Sequence, residues 1–204
     1  MLSVDAEFTG KHRFPVLKGT QVVPDSMPLP INYMLSQTNT SDKWFHCFID
    51  DDGFERIWNN FWKYIPYIEN SKGFISTDFS IYRDIPEDVQ IRNCYRNRVM
   101  AYAMQKINPN VIPTAGFGGE STWEWCFDGL PMHSSIAITT NGTLSDPEAR
   151  RLFVGGVDAL VKTKEPSSLI VCGNYPDWLN HKYPYTQIVP ILSYSQMWHA
   201  RRCG

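Results

Sequence analysis

Apolar and polar positions alternate in blocks along this chain, and the period of the blocks changes. Trp44-Phe45-His46-Cys47-Phe48-Ile49 is a near-continuous apolar run that ends in Asp50-Asp51-Asp52. Phe54, Ile57, Trp58, Phe61, Trp62 and Ile65 then recur at helical spacing, which predicts an amphipathic helix. Gly73 to Thr77 predicts a second strand, followed by a helix from Pro86 to Ile107. Pro86 suits a first turn, Glu87 and Asp88 match the positive helix end, and Ile91, Tyr95, Val99 and Tyr102 form the apolar stripe. Val111 to Thr114, Ser135 to Thr139, Ser168 to Cys172 and Gln187 to Leu192 read as four more strands. A short helix is expected around Ser121 to Phe127. A longer one should start at Asp146-Pro147-Glu148, where cap, first-turn proline and acid follow one another.

Apolar strands alternating with amphipathic helices imply an α/β fold of parallel βαβ units with both sheet faces covered. Six strands fall short of the usual eight, so an incomplete or distorted (βα) barrel is favoured over an open doubly wound sheet. Pro113 and Pro190 belong at strand ends or edges, because proline has no N–H for a ladder. Residues 1–43, rich in Pro, Gly, Ser and Thr, read as an irregular arm laid over the body, and 44–204 as a single α/β domain.

Composition narrows this picture modestly. At 204 residues the chain suits one sizeable core, and its net charge of −2 gives no global pull toward nucleic acid or an anionic membrane. The five cysteines (Cys47, Cys94, Cys126, Cys172, Cys203) are scattered and show no C-x-x-C spacing, so neither a disulfide framework nor a zinc site is expected. With no membrane span and no apolar leader, a reduced, cytoplasmic protein is expected.

In parallel α/β architectures, sites lie at the C-terminal ends of the strands. That rule selects Asp50 to Asp52 after the first strand, Asp78, Tyr82 and Arg83 after the second, and Glu120, Trp123 and Glu124 after the third. Thr140 and Asn141 follow the fourth, Asn174 and Tyr175 the fifth, and Tyr194 the sixth. Asp78, Asp50 and Glu120 are the candidate catalytic carboxylates. Tyr82, Arg96, Trp123, Asn141 and Asn174 are the candidate substrate contacts. Carboxylates gathered there could transfer protons or hold a divalent cation through oxygen ligands. The competing readings are structural. Asp50 to Asp52 could cap the next helix, Asp78 could brace its turn, and Trp123 could be core. Arg92, Asn93, Arg96 and Asn97 could form a solvated face or an ion-pair network, with Arg96 bracing the turn. Gly116-Phe117-Gly118-Gly119 lacks the spacing of a P-loop or a dinucleotide fingerprint.

Leu17-Lys18-Gly19-Thr20, Phe48-Ile49-Asp50-Asp51-x-Gly53-Phe54-Glu55-Arg56-Ile57-Trp58 and Thr77-Asp78-Phe79-Ser80-Ile81-Tyr82 are landmarks of a family. So are Gln90-Ile91-x-Asn93-x-Tyr95-Arg96-Asn97-Arg98, Val111-Ile112-Pro113-Thr114, Cys126-Phe127-Asp128-Gly129 and Cys172-Gly173. Through them most of the chain resembles an uncharacterised family (domain of unknown function 4417 type) spread through Firmicutes genomes, prophages and other mobile elements. Thr77 and Phe117 stand where that family has a proline and a tryptophan. The resemblance implies a shared architecture and a phage setting, and brings no catalytic residue with it. Polar clustering at the strand ends points to a hydrolase or transferase for a phosphorylated or glycosidic small-molecule substrate. The absence of a complete catalytic motif, with the resemblance, points instead to a non-catalytic phage-borne factor that binds a host protein or sequesters a ligand. Nucleic-acid handling rests on the arginine-rich helix alone and is opposed by the net acidity.

Overall fold

The computed structural model describes residues 2–144 and 146–203; the side chains of residues 201–203 lie outside that description, including the Cys203 thiol. Phe8–Thr9 (β1) and Phe14–Pro15 (β2) make a small antiparallel hairpin, and Leu29–Pro30 (β3) precedes a 3-10 turn over Ile31–Ser36. The body then alternates: Trp44–His46 (β4), Asp51–Asn59 (α1), Phe61–Asn70 (α2), Gly73–Ile75 (β5), Glu87–Gln105 (α3) and Val111–Ile112 (β6). Ser135–Thr139 (β7), Pro147–Lys164 (α4), Ser168–Cys172 (β8), Trp178–Lys182 (α5), Gln187–Ile191 (β9) and Tyr194–Cys203 (α6) complete it.

Every strand pair from β3 onward is parallel, in the orders β3-β4-β5-β6 and β7-β8-β9. The strands therefore lie side by side in chain order, without the reversal of a doubly wound sheet. The two sheets meet at one parallel bridge, Thr114 to Ala137. There Ala137 N–H donates to the Pro113 carbonyl and Ala115 N–H to that of Ala137. Pro113 has no N–H to extend this ladder toward Ser135, which explains why the join is so short. Pro190 sits in β9, the outer strand of its sheet. No ladder joins β9 back to β3 among the described residues, so the ring is not closed by hydrogen bonds.

Side chains from both sheets share an inner cluster: Trp44, Phe48, Ile75, Ile112, Ala137, Ile170, Cys172 and Ile191. The alternate positions face outward, as the two-residue period of a strand requires. Phe45, Cys47 and Phe74 meet α1 and α2, while Ile136, Ile138, Leu169 and Val171 meet α4. The helix expected after the first strand is two helices. At Asn60 (φ −145°, ψ 62°) the backbone leaves the helical region, resetting the phase and leaving Trp62 71% exposed. No helix among the described residues is long and apolar enough to cross a membrane.

Helix α3 departs furthest from expectation. Of the proposed stripe only Val99 is fully buried, whereas Gln90, Arg96, Asn97 and Arg98 are all interior. The helix runs between the two outer clusters, giving Cys94 and Ala101 to one and Met100, Ala103 and Met104 to the other. A helix enclosed on several sides cannot send its polar residues to water, so they must find partners inside. Arg98, 1% exposed, does so with backbone. Its Nε donates to the Asp128 carbonyl at 2.9 Å, Nη1 to Thr114 at 3.1 Å and Nη2 to Cys126.

Replacing Arg98 with methionine keeps the volume but strands three carbonyls. We expect a loss of about 3–5 kcal/mol in urea unfolding, the scale for disrupting a buried charged network. A loss below about 1 kcal/mol would show that Arg98 does not hold these segments together.

Candidate functional site

Beyond β5 the chain leaves the sheet as Ser76-Thr77-Asp78 and crosses to α3 through residues 79–86. Such a segment must satisfy its own N–H and C=O groups. Three α3 amides at i, i+3 and i+7 do this. Asn97 accepts from Phe79 N–H at 2.7 Å and donates to the Phe79 carbonyl at 3.0 Å. Asn93 donates to the Ser80 carbonyl at 2.8 Å, and Gln90 to those of Tyr82 and Ile85 at 2.8 and 3.0 Å. From the other side, Asp51 at the start of α1 accepts from Ser80 N–H (3.2 Å) and its hydroxyl (3.0 Å). Arg96 lies beneath, paired with Glu55, its guanidinium carbon 3.4 Å from the centre of the Phe79 ring and 4.9 Å from that of Trp58. The loop is thus fixed by its backbone, with Phe79 and Ile81 turned into the core and Asp78, Ser80 and Tyr82 left to the cleft above.

That cleft has a volume of about 760 Å³. The chain after β4 brings Asp50 and Asp52 to it, and the loop after β5 brings Asp78, Ser80 and Tyr82. Thr139 and Asn141 come from the end of β7 and just beyond it, Ser193, Tyr194 and Ser195 from beyond β9, and Asn32 from the 3-10 turn after β3. Asp50 occupies the N-cap position of α1 without a side-chain capping bond. Asp78 makes no hydrogen bond among the described residues. Burial pushes its carboxyl up to about 7, the charge of Asp51 adds to the rise, and Arg98 opposes it. Burial also raises Asp51, against the two hydrogen bonds from Ser80.

Of the eight candidate catalytic and contact residues, four meet here, Asp78, Asp50, Tyr82 and Asn141, together with Asp52 and Tyr194, which the strand-end rule also selected. Asn174 lies in an adjoining recess that shares Asn141, where its side-chain oxygen accepts from Gln196 at 3.0 Å. Three others do not reach the cleft. Glu120 is exposed and bound to Arg151. Arg96 is 7% exposed and held between Glu55 and two rings. Trp123 packs on Gly155, where an added Cβ would overlap its ring. The two buried arginines leave Arg92 alone exposed among those of α3, so the helix presents no basic stripe. Ser80, Ser193 and Ser195 were not singled out from the sequence. The Ser-Tyr-Ser run after β9 was the available signal for the last two, whereas nothing local announces the Asp51–Ser80 contact across 29 positions. His46 is interior and neutral: burial lowers it to about 3, and its Nδ1 accepts from Phe48 N–H. Cys47, Cys94, Cys126 and Cys172 are buried free thiols. Among the described residues no three His, Cys, Asp or Glu side chains are grouped to hold a metal ion.

Fold and cleft define an α/β protein of parallel βαβ units with a carboxylate-lined cleft at its strand ends. The chain belongs to the family described as Domain of unknown function (DUF4417), whose model matches residues 6–194. It is 30% identical over 159 residues to the Gene 1 protein of Mycobacterium phage D29, covering 77% of this chain and 56% of that one. The chain therefore spans a little over half the length of that relative. It is 27% identical over 206 aligned positions to the Gene 1 protein of Mycobacterium phage L5, covering 98% and 86%. Both relatives come from mycobacterial phages, which supports the phage association and does not show a Firmicutes origin. No solved structure matches the chain.

The raised Asp78 carboxyl has a consequence for stability. Its folded value of about 7 lies above the ordinary 3.8, so the folded state binds the extra proton between those limits and loses stability as pH rises through them. Asp78→Asn should therefore be more stable than the wild type at pH 8, by up to about 4 kcal/mol. The gap should close toward pH 4. Parallel unfolding curves for the two proteins across this range would refute the assignment.

Proposed function

We propose that the chain is a hydrolase or transferase working by general acid/base catalysis at this cleft, on a glycosidic or phosphorylated substrate. The observation that carries the reading is Asp78: a carboxyl without a hydrogen-bond partner, on a loop held rigidly by its backbone, with a proton affinity near neutrality. A general acid is most effective when its pKa lies near the working pH. In this reading protonated Asp78 gives its proton to the leaving-group oxygen as the bond to the transferred group breaks. Asp50, exposed at the cleft, takes a proton from the attacking water or hydroxyl as the new bond forms. Two carboxyls in contrasting environments are a recurring way to divide these roles.

The test is turnover of methyl glycosides and alkyl phosphates, followed by released reducing sugar or phosphate. Wild-type activity should fall as pH rises above 7, and Asp78→Asn should lower it by about 10²–10⁴-fold. Nitrophenyl analogues should narrow that loss, because their leaving group departs without a proton. The phage relatives favour a second reading, a non-catalytic factor acting on a host component. Absence of turnover across both panels would replace the acid/base reading with that one, whereas full activity in Asp78→Asn would remove Asp78 as the general acid.

A further inference from the structure

The charges around the cleft restrict what can occupy it. We infer that its ligand is a carbohydrate without phosphate, either neutral or amine-bearing; the inference rests on reading the cleft as the active site but requires no catalytic step. Asp50, Asp52 and Asp78 line it, and among the described residues no Lys, Arg or His does. Of the cations nearby, Arg83 is paired with Asp146 at 3.0 Å, Arg96 with Glu55, and Arg98 with three backbone carbonyls, while Arg56, exposed on α1, does not line the cleft.

Helix starts are the other usual holders of phosphate, and of the two that open here α1 carries acids in its first turn and α6 is bonded from within. Helix α1 begins with Asp51 and Asp52, and Gly53 N–H is bonded to the Asp50 carbonyl at 2.8 Å. At α6, Ser193 Oγ accepts from Gln196 N–H at 3.3 Å and the Gln196 side chain accepts from Ser193 N–H at 2.9 Å. A phosphate dianion would thus meet these carboxyls without a cation lining the cleft to offset their repulsion.

Sugar chemistry meets the opposite reception. Carboxylates accept pairs of hydroxyl hydrogens, and Asn141, Ser80, Thr139 and Ser193 supply donors and acceptors at several heights. Tyr82 and Tyr194 add apolar ring faces with polar tips at the rim. An amino group on the sugar would gain from the carboxyls directly. The volume of about 760 Å³ lies within the usual range for small-molecule sites.

The test compares cellobiose, N,N′-diacetylchitobiose and glucosamine with glucose 6-phosphate and ADP, with and without Mg²⁺, by saturation-transfer NMR. The catalytically silent Asp78→Asn protein is used beside the wild type. At least one unphosphorylated sugar should bind both proteins, about tenfold or more tighter than either phosphorylated probe. Asp50→Asn/Asp52→Asn, altered only at exposed positions, should narrow that gap. A phosphorylated probe binding as well as the sugars, with or without Mg²⁺, would overturn the inference, as would no sugar signal at about 10 mM. Sugar binding without turnover would uphold it while removing the acid/base reading; turnover of a phosphate ester would do the reverse.

Discussion

A chain leaving a sheet carries backbone donors and acceptors that water can no longer reach, and in this protein helix α3 supplies their partners. Arg98 gathers the carbonyls of Thr114, Cys126 and Asp128, while Asn97, Asn93 and Gln90 hold the segment from Phe79 to Ile85. Because the bonds run to main chain, they fix where the loops go whatever their side chains are. The side chains of Asp78, Ser80 and Tyr82 are left to face the cleft. The inner and outer clusters supply the apolar burial, but the route of the chain between them depends on this helix.

How much of this was legible depended on the range of the interaction. Alternation of apolar strands and amphipathic helices is written in local period, and it predicted the parallel α/β plan. Pro113 and Pro190 carried their own rule, the missing N–H, and stand at a ladder's end and in an outer strand. The break at Asn60 was hidden because apolar residues on both sides of it fit one helical phase until the backbone resets. The arginine and asparagine density of α3 was conspicuous, but its direction was not. Two polar residues four apart look alike whether they face water or the backbone of a neighbouring loop.

The same limit applies at the cleft. The strand-end rule selected Asp78, Asp50, Tyr82 and Asn141, which line one cleft, since it needs only the strand boundaries. It also selected Glu120 and Trp123, which follow a strand end in sequence but turn to α4 in space. Gly155 accounts for the second of these: a residue without a side chain on the facing helix made room for the Trp123 ring, a complementarity that no local pattern records. Asp51 and Ser80 meet only because α1 and the loop after β5 begin side by side, a consequence of parallel neighbours in register.

One feature of the sheet bears on the cleft as a whole. Thr114 and Ala137 make the sole bridge between β6 and β7, whereas β8 is laddered along five positions to each neighbour. Asp50 and Asp78 extend from the first sheet, Asn141 and Ser193 from the second. The opposing walls of the cleft thus belong to two separately laddered bodies stitched beside a proline. Its width is therefore a property of a seam, set by how the two bodies dock rather than by the internal geometry of either.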